Sequence, residues 1–176
     1  MDTNTFNNLI SQTWPDLHAA STLGGGTFGT VYACTKTDAV TGVTQKEAVK
    51  VVRVDFTPED RANAEEEGIP FADYYRAVKE KRLQEIRWMV ALKSPHIVHI
   101  NGYTAIEEPD LSALYILIRM DCLTALDQLR PAHLDDTPEQ AAALAEKVAL
   151  DICDALRVCH QNGVLHRDIK PANILC

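Results

Sequence analysis

The sequence predicts an α+β fold, in which a small five-stranded antiparallel sheet with one long helix is followed by the beginning of a helical region. Short segments rich in β-branched and aromatic residues recur between residues 17 and 120, which is typical of strands. Apolar residues at helical spacing predict a long helix over about residues 73–93. A second apolar face, with side chains at i+4 steps, predicts another long helix: Leu144, Val148, Ile152 and Leu156.

Composition excludes several classes of protein. The chain has 176 residues, enough for one domain with a core or for one and a half small lobes. Its formal charge of −8 argues against nucleic-acid binding, which requires a basic surface. No apolar run approaches the roughly 18 residues that span a membrane, and the N-terminus lacks the pattern of a signal peptide. Five cysteines without a C-x-x-C pair indicate free thiols, no zinc site and a cytoplasmic location.

The N-terminal part of the chain leads into a glycine-rich segment. Residues 1–16 are mostly polar and are predicted to be a lead-in, which Trp14-Pro15 packs onto the first strand. Residues 24–32 read G-G-G-T-F-G-T-V-Y, and this run contains G-x-G-x-x-G. Glycines permit positive φ angles and let backbone amides approach phosphate groups.

Rossmann dinucleotide sites share the glycine spacing, but in them the loop opens a helix. Here the residues that follow, 30–35, are β-branched, aromatic and alternating, which favours a second strand. The segment therefore predicts a β-hairpin whose glycine-rich loop can approach phosphate groups. A glycine-rich turn without a ligand is the alternative.

A third strand is predicted over Glu47–Val54, with Lys50 between apolar neighbours. A lysine in such a strand is costly to bury unless a charge pairs with it. Phosphate oxygens and a carboxylate would provide that pairing, and an edge lysine that points to solvent is the alternative. The next segment, residues 57–70, is acidic and is predicted to contain a short solvated helix between Pro58 and Gly68.

Two further strands, over Ile97–Tyr103 and Ala113–Met120, complete the predicted sheet. Thr124–Asp127 is predicted to open the first helix of the helical region. The last long helix is predicted to start within Asp135–Glu139 and to end at Asn162-Gly163.

The last eleven residues carry the pattern most closely tied to chemistry. Residues 166–173 read H-R-D-I-K-P-A-N. Transfer of a phosphoryl group from ATP requires a carboxylate that orients and deprotonates the attacking hydroxyl, together with oxygen ligands for magnesium. Asp168 can supply the carboxylate and Asn173 an oxygen ligand. The segment resembles the catalytic loop of eukaryotic-type (Hanks-type) protein kinases, H-R-D-x-x-x-x-N. A polar loop without a catalytic role is the alternative, and the order of the motifs upstream opposes it.

This resemblance covers about residues 17–176 and implies ATP and Mg²⁺ as cofactors. It implies that Asp168 is the base, that Lys170 steadies the γ-phosphate and that Asn173 binds magnesium. Lys50 would hold the α- and β-phosphates while Glu85 orients it. The remaining contacts to ATP, from the glycine lid, the residues around adenine and the hinge backbone, would come from Leu23, Gly24, Gly26, Gly29, Val31, Ala48, Arg119, Asp121 and Leu175.

Two details of this assignment rest on the family pattern. Glu85 lies ten residues before Pro95, in a phrase that resembles the turn after the kinase αC helix, and this spacing favours it over the competing Glu80. Ile118 would be the gatekeeper residue before the hinge. The sequence departs from V-A-I-K in its first place, where it has Glu47.

The resemblance divides the chain into a lead-in (1–16), a sheet lobe with the hinge (17–121) and the beginning of a helical lobe (122–176). It implies a serine/threonine protein kinase that acts on protein hydroxyls, since R-D-x-K-P is typical of that class. The alternatives are a non-catalytic pseudokinase or scaffold that binds nucleotide or a protein partner, and a small-molecule kinase of the aminoglycoside type. The D-F-G motif and the activation loop are expected after Cys176, so the chain is expected to be a fragment that is inactive in isolation.

Overall fold

The computed structural model describes residues 2–26, 29–129 and 137–176. The chain forms two compact units. The first consists of Met1–Met89 with Ile100–Cys122, and the second of Val90–His99 with Leu123–Cys176. Along the part of the chain that is described, no helix is long and apolar enough to cross a membrane.

The first unit contains a five-stranded antiparallel sheet in the order β1-β2-β3-β5-β4. This confirms the predicted sheet. The fourth strand begins three residues later than predicted, because Ile97 lies in a turn and donates its amide to the carbonyl of Ser94. The strands are β1 Leu17–Gly26, β2 Gly29–Thr37, β3 Thr44–Asp55, β4 Ile100–Glu107 and β5 Ala113–Asp121.

The N-terminal segment is a helix, α1 (Thr3–Ser11), capped by the carboxylate of Asp2. Phe6 and Ile10 are both 0% exposed, and the Phe6 ring stacks on Tyr32 with 3.9 Å between centroids. The lead-in predicted over residues 1–16 thus contains a helix that contributes two fully buried side chains to the core. Two apolar residues four positions apart are enough to give a short polar helix one buried face.

The main core of the first unit lies on the face of the sheet that α1 covers. The side chains there alternate along the strands, as a half-buried sheet requires. Leu17 and Leu117 join Val49 and Val51 in this core, and all four are nearly inaccessible to solvent. This packing fixes which face β3 turns toward α1, and hence which face carries Lys50.

Two helices follow β3. The acidic insert forms the predicted short helix, α2 (Pro58–Glu66), and Gly68 after its end is left-handed. A capping box between Thr57 and Asp60 closes its start. The long helix α3 spans Phe71–Ala91. Its buried Tyr75 donates its hydroxyl to the carbonyl of Ala113 at 3.3 Å, which anchors the start of the helix to the sheet.

The described part of the second unit contains α4 (Leu126–Leu129), α5 (Pro138–Gln161) and a short 3-10 helix, Pro171–Asn173. Thr137 caps α5 in a capping box with Gln140. The predicted capping acids Asp135 and Asp136 lie outside the described residues. The predicted end of α5 is confirmed, since Asn162 is the C-cap and Gly163 has a φ of +73°. The four apolar side chains of its predicted face are half-buried.

Candidate functional site

The register of the sheet brings several of the predicted nucleotide-binding residues onto one face. Gly24 pairs with Val31, Val31 with Lys50, and Lys50 with Ile118. Cross-strand partners point to the same side of a sheet, so this row crosses β1, β2, β3 and β5. Ala48 lies two residues from Lys50 and shares its face. The row lies on the side of the sheet opposite Val49 and the α1 core.

Lys50 is the cation at the centre of this row. Its side chain is partly buried, and among the described residues it has neither an ion pair nor a hydrogen bond. Burial lowers the pKa of its ammonium group, because removal from water disfavours the charged form. A partly desolvated cation gains from an anionic partner. Lys50 is therefore suited to hold an anion such as phosphate.

The predicted pair between Lys50 and Glu85 is not formed in this structure. The Glu85 carboxylate instead lies 3.4 Å from Nη1 of Arg82, on the same helix. The competing Glu80 is bound by Arg87. Residues three apart on a helix are neighbours, so Arg82 competes with Lys50 for Glu85, and Arg87, seven residues after Glu80, holds that carboxylate two turns along the same helix.

The glycines of the β1–β2 hairpin differ in whether the fold itself requires them. Gly29 has a φ of +113°, and a Cβ there would lie 2.2 Å from the carbonyl oxygen of Val51, so the fold itself requires glycine. Among the described residues, a Cβ at Gly24 or Gly26 would meet no atom within 4 Å, so none of these residues fills the space beside the backbone there. Leu23 lies at a β-bulge and is 43% exposed. The hairpin tip, residues 27–28, lies outside the described part.

The end of β5 contains the predicted hinge residues. The Arg119 side chain is directed to the α1 face, where its Nε lies 3.1 Å from Oε2 of Glu47. Its side chain therefore does not share the face of Lys50, and its predicted nucleotide contact involves only the backbone. Oδ1 of Asp121 accepts a hydrogen bond of 3.1 Å from the Asn101 amide.

In the second unit, the loop that contains Asp168 is organised around that carboxylate. Lys170 Nζ lies 2.9 Å from its Oδ2, and Asn173 Nδ2 donates to the same oxygen at 2.8 Å. Lys170 first, and then Asn173, hold the pKa of Asp168 below its usual value. Within the described residues Oδ1 accepts no hydrogen bond, which leaves it available to accept a proton.

The backbone of this loop is tightly turned. Arg167 has a φ of +62°, a conformation that costs a non-glycine residue about 1–3 kcal/mol. The turn lets the Asp168 amide donate to Nδ1 of His166 at 3.3 Å. Leu175 then forms a bridge with Ala125. Nothing in the sequence signalled the strained arginine, because arginine has no preference for this conformation.

The donor set of the loop fits a magnesium ion. The Asn173 amide nitrogen is fully used, since it donates both to Oδ2 and to the carbonyl oxygen of Asp168, each at 2.8 Å. This orientation leaves the amide oxygen of Asn173 without a hydrogen bond in the described part of the chain. Mg²⁺ takes oxygen ligands and commonly combines one or two protein groups with phosphates and water.

With this geometry in place, comparison with known proteins gives a definite family. The sequence matches the family described as "Protein kinase domain" over residues 17–176. The chain belongs to the protein kinase family. Several of the relatives that it resembles are named serine/threonine-protein kinases.

Three relatives illustrate this similarity. The chain is 28% identical over 99% of its length to "Serine/threonine-protein kinases drp72" of Corynebacterium efficiens, of which it covers 29%. It is 29% identical over 87% of its length to "Cell division control protein 2 homolog 3" of Trypanosoma brucei brucei, covering 40%. It is 28% identical over 90% of its length to "Serine/threonine-protein kinase PknH" of Mycobacterium tuberculosis, covering 21%. The kinase chain thus spans less than half the length of these relatives.

Proposed function

We propose that this kinase domain serves the transfer of the γ-phosphoryl group of ATP to serine and threonine hydroxyls of proteins. The observation that carries the proposal is the arrangement at Asp168, whose Oδ2 is held by Lys170 and Asn173 while Oδ1 has no hydrogen bond from the described residues. The position of Lys170 two residues after Asp168, followed by Pro171, supports the serine/threonine class. The names of two of the relatives described above agree with that class.

The chemistry assigns a separate task to each side chain of the loop. The substrate hydroxyl attacks the γ-phosphorus and gives its proton to Asp168, and the bond from the γ-phosphorus to the bridging oxygen breaks to release ADP. The lowered pKa of Asp168 keeps the carboxylate ionised and able to accept that proton. Lys170, whose Nζ lies 2.9 Å from Oδ2 of the base, would offset negative charge on the transferred group.

The nucleotide would be held by groups of the first unit. Lys50 would contact the α- and β-phosphates, and the open backbone at Gly24 and Gly26 would allow their close approach. Magnesium, when bound, would neutralise the phosphate charge, and Asn173 would contribute one oxygen ligand to it. Five free cysteines support the further proposal that the protein works in the cytoplasm.

Binding of nucleotide is tested first, on the 176-residue chain. We expect Lys50→Met to weaken ATP binding in the presence of magnesium, because it removes the buried cation. The matched control is Lys46→Met, which removes an exposed lysine from the same strand. Lys36, on the neighbouring strand β2, is unsuitable as a control because it forms a 2.7 Å ion pair with Asp16. Equal affinities in the two variants would contradict the role of Lys50.

Transfer is tested on the protein that the complete gene encodes. Asp168→Asn should lower turnover by about 10²–10⁴-fold, the usual contribution of a general base, and should leave the dissociation constant of ATP nearly unchanged. Asp154→Asn is the control, since Asp154 is exposed on α5 and, within the described part of the chain, its one ion pair is with Nε of Arg157 at 3.5 Å. Full transfer activity in Asp168→Asn would exclude Asp168 as the base. Nucleotide binding without any transfer by the unaltered protein would favour the scaffold alternative.

A further inference from the structure

A buried ion pair joins the third and fifth strands beside the predicted hinge. Glu47 Oε2 and Arg119 Nε lie 3.1 Å apart, and the two side chains are only 13% and 20% exposed. These two atoms are fully buried, and their geometry does not complete a hydrogen bond. The attraction between them is therefore mainly ionic. Because the pair is diagonal across the β3–β5 ladder, it restrains the strands against sliding.

The N-terminal segment covers this pair. The Arg119 guanidinium lies over the indole of Trp14, 5.3 Å from the ring centroid, which is within the range of a cation–π contact. The same indole lies against Gly102 on β4, where a Cβ would be 3.8 Å from the ring. Gly102 pairs with Arg119 in the sheet. Trp14 thus packs on β4 and β5. Since β5 lies between β3 and β4 in the sheet, Glu47 contacts Arg119 from the β3 side and Trp14 contacts it from the β4 side.

This cluster, defined as Trp14, Arg119 and Glu47, cannot touch a nucleotide that Lys50 holds. Glu47 and Arg119 are on the face with Val49, and Lys50 is on the other face. The cluster nevertheless acts on the backbone of Arg119, which is part of the predicted hinge. A charged pair is an unusual choice for a buried face, because apolar residues of similar volume are commonly as stable or more so.

We propose that Trp14, Arg119 and Glu47 are positioning residues that fix the backbone of residues 119–121 so that it can hydrogen-bond the base of an adenine nucleotide. This inference rests on the proposed function, since it concerns the same nucleotide. It extends that function to Trp14 of the lead-in segment and to Glu47, which occupies the first place of the V-A-I-K pattern, where the sequence departs from the family. The cluster selects for the base, whereas Lys50 and the glycine hairpin serve the phosphates.

The test compares two probes, ATP and inorganic tripolyphosphate, on the 176-residue chain. The main variant is Glu47→Leu/Arg119→Leu, in which both charges are removed together so that neither is left buried without a partner. We expect its melting temperature to stay near that of the unaltered chain. Its ATP affinity should fall about tenfold, the equivalent of one or two misplaced hydrogen bonds, and its tripolyphosphate affinity should not change.

Three further variants complete the design. Arg119→Lys keeps the charge and should retain most of the ATP affinity. Trp14→Leu keeps an apolar contact but removes the ring face, and it should weaken ATP binding without affecting tripolyphosphate; it decides the matter if the double variant does not fold. The matched control is Arg53→Leu/Asp55→Leu, which removes an exposed ion pair of 2.7 Å from the same strand. This control should bind both probes normally.

The outcomes separate this inference from the proposed function. If the unaltered chain binds no ATP, the proposed function fails and the inference fails with it. If the unaltered chain binds ATP and the folded double variant binds it equally well, the inference alone is overturned. A parallel loss of ATP and tripolyphosphate binding would also overturn it, because the cluster would then only stabilise the sheet. A loss confined to ATP supports it.

Discussion

Lys170 and Asp168 form an ion pair in which Nζ lies 2.9 Å from Oδ2, the same oxygen that accepts the Asn173 amide. Both partners stabilise the ionised carboxylate, and Lys170 makes the larger contribution to its lowered pKa. One oxygen of the carboxylate is therefore held in place while the other is left to accept a proton. The arrangement couples the position of the base to its state of ionisation.

This pair predicts a pH dependence. A base with a lowered pKa stays ionised to lower pH, and its activity is lost only as the pH falls through that lowered pKa. Lys170→Met removes the main cause of the shift, so the acid limb of turnover against pH should move to higher pH. Lys147→Met, which removes the 2.5 Å partner of Asp151 on α5, should leave the limb in place. NMR titration of the Asp168 carboxyl compares its pKa in the two variants without an activity assay. An unchanged midpoint in Lys170→Met would contradict the proposed effect of Lys170 on this pKa.

The two glutamates of α3 make a matched pair of substitutions. Both are bound by an arginine of their own helix, Glu85 by Arg82 and Glu80 by Arg87. If Glu85 orients Lys50 during the reaction, Glu85→Gln should lower turnover by at least about tenfold and Glu80→Gln should have little effect. Steady-state turnover of the protein encoded by the complete gene decides between them. The reverse ranking would assign the role to Glu80.

We expect one glycine of the hairpin, Gly29, to be needed for stability and another, Gly24, to be needed for ATP binding. Gly29→Ala should destabilise the sheet by at least about 1–3 kcal/mol, because it forces a side chain into a left-handed backbone and against the Val51 carbonyl. Gly24→Ala should leave the melting temperature unchanged, since no atom of the described residues lies within 4 Å of a Cβ at that position. If Gly24 approaches phosphate, its substitution should still weaken ATP binding. Thermal unfolding and nucleotide titration of both variants measure this, and a normal melting temperature for Gly29→Ala would count against the described hairpin.

Burial separates the reactivity of the cysteines. Removal of Cys34 from water raises the pKa of its thiol from 9.0 to about 12, whereas Cys153 is exposed. Because the thiolate is the reactive form, iodoacetamide at pH 8 should modify Cys153 rapidly and Cys34 only after unfolding. The raised pKa also means that the folded state favours the protonated thiol of Cys34. The resulting contribution to the free energy of unfolding is complete below pH 9 and is lost as the pH rises toward 12. Peptide mapping over time provides the measurement, and rapid labelling of Cys34 in the folded chain would refute the burial of that side chain.

Local sequence patterns were sufficient for much of the fold. The strands alternate, α2 and α5 carry capping residues and terminal glycines, and the hairpin glycines interrupt two β-rich segments; each of these signals acts within a few residues of the chain. The Asp168 loop belongs to the same class, because its three key side chains lie within six consecutive residues. The order of motifs then indicated the family that the comparison confirmed.

The tertiary structure decided what depends on partners distant in sequence. The burial of Phe6 on Tyr32, and the contact of Trp14 with Arg119, require the sheet to be formed before α1 has a surface to cover. The partner of Glu85 was decided by competition, because Arg82 is one turn away on the same helix, whereas Lys50 must be reached across the fold. Sequence alone therefore determined which residues carry charge and where the chain turns. Only the folded chain determined which charges meet, since electrostatic attraction depends on distances that the order of residues does not set.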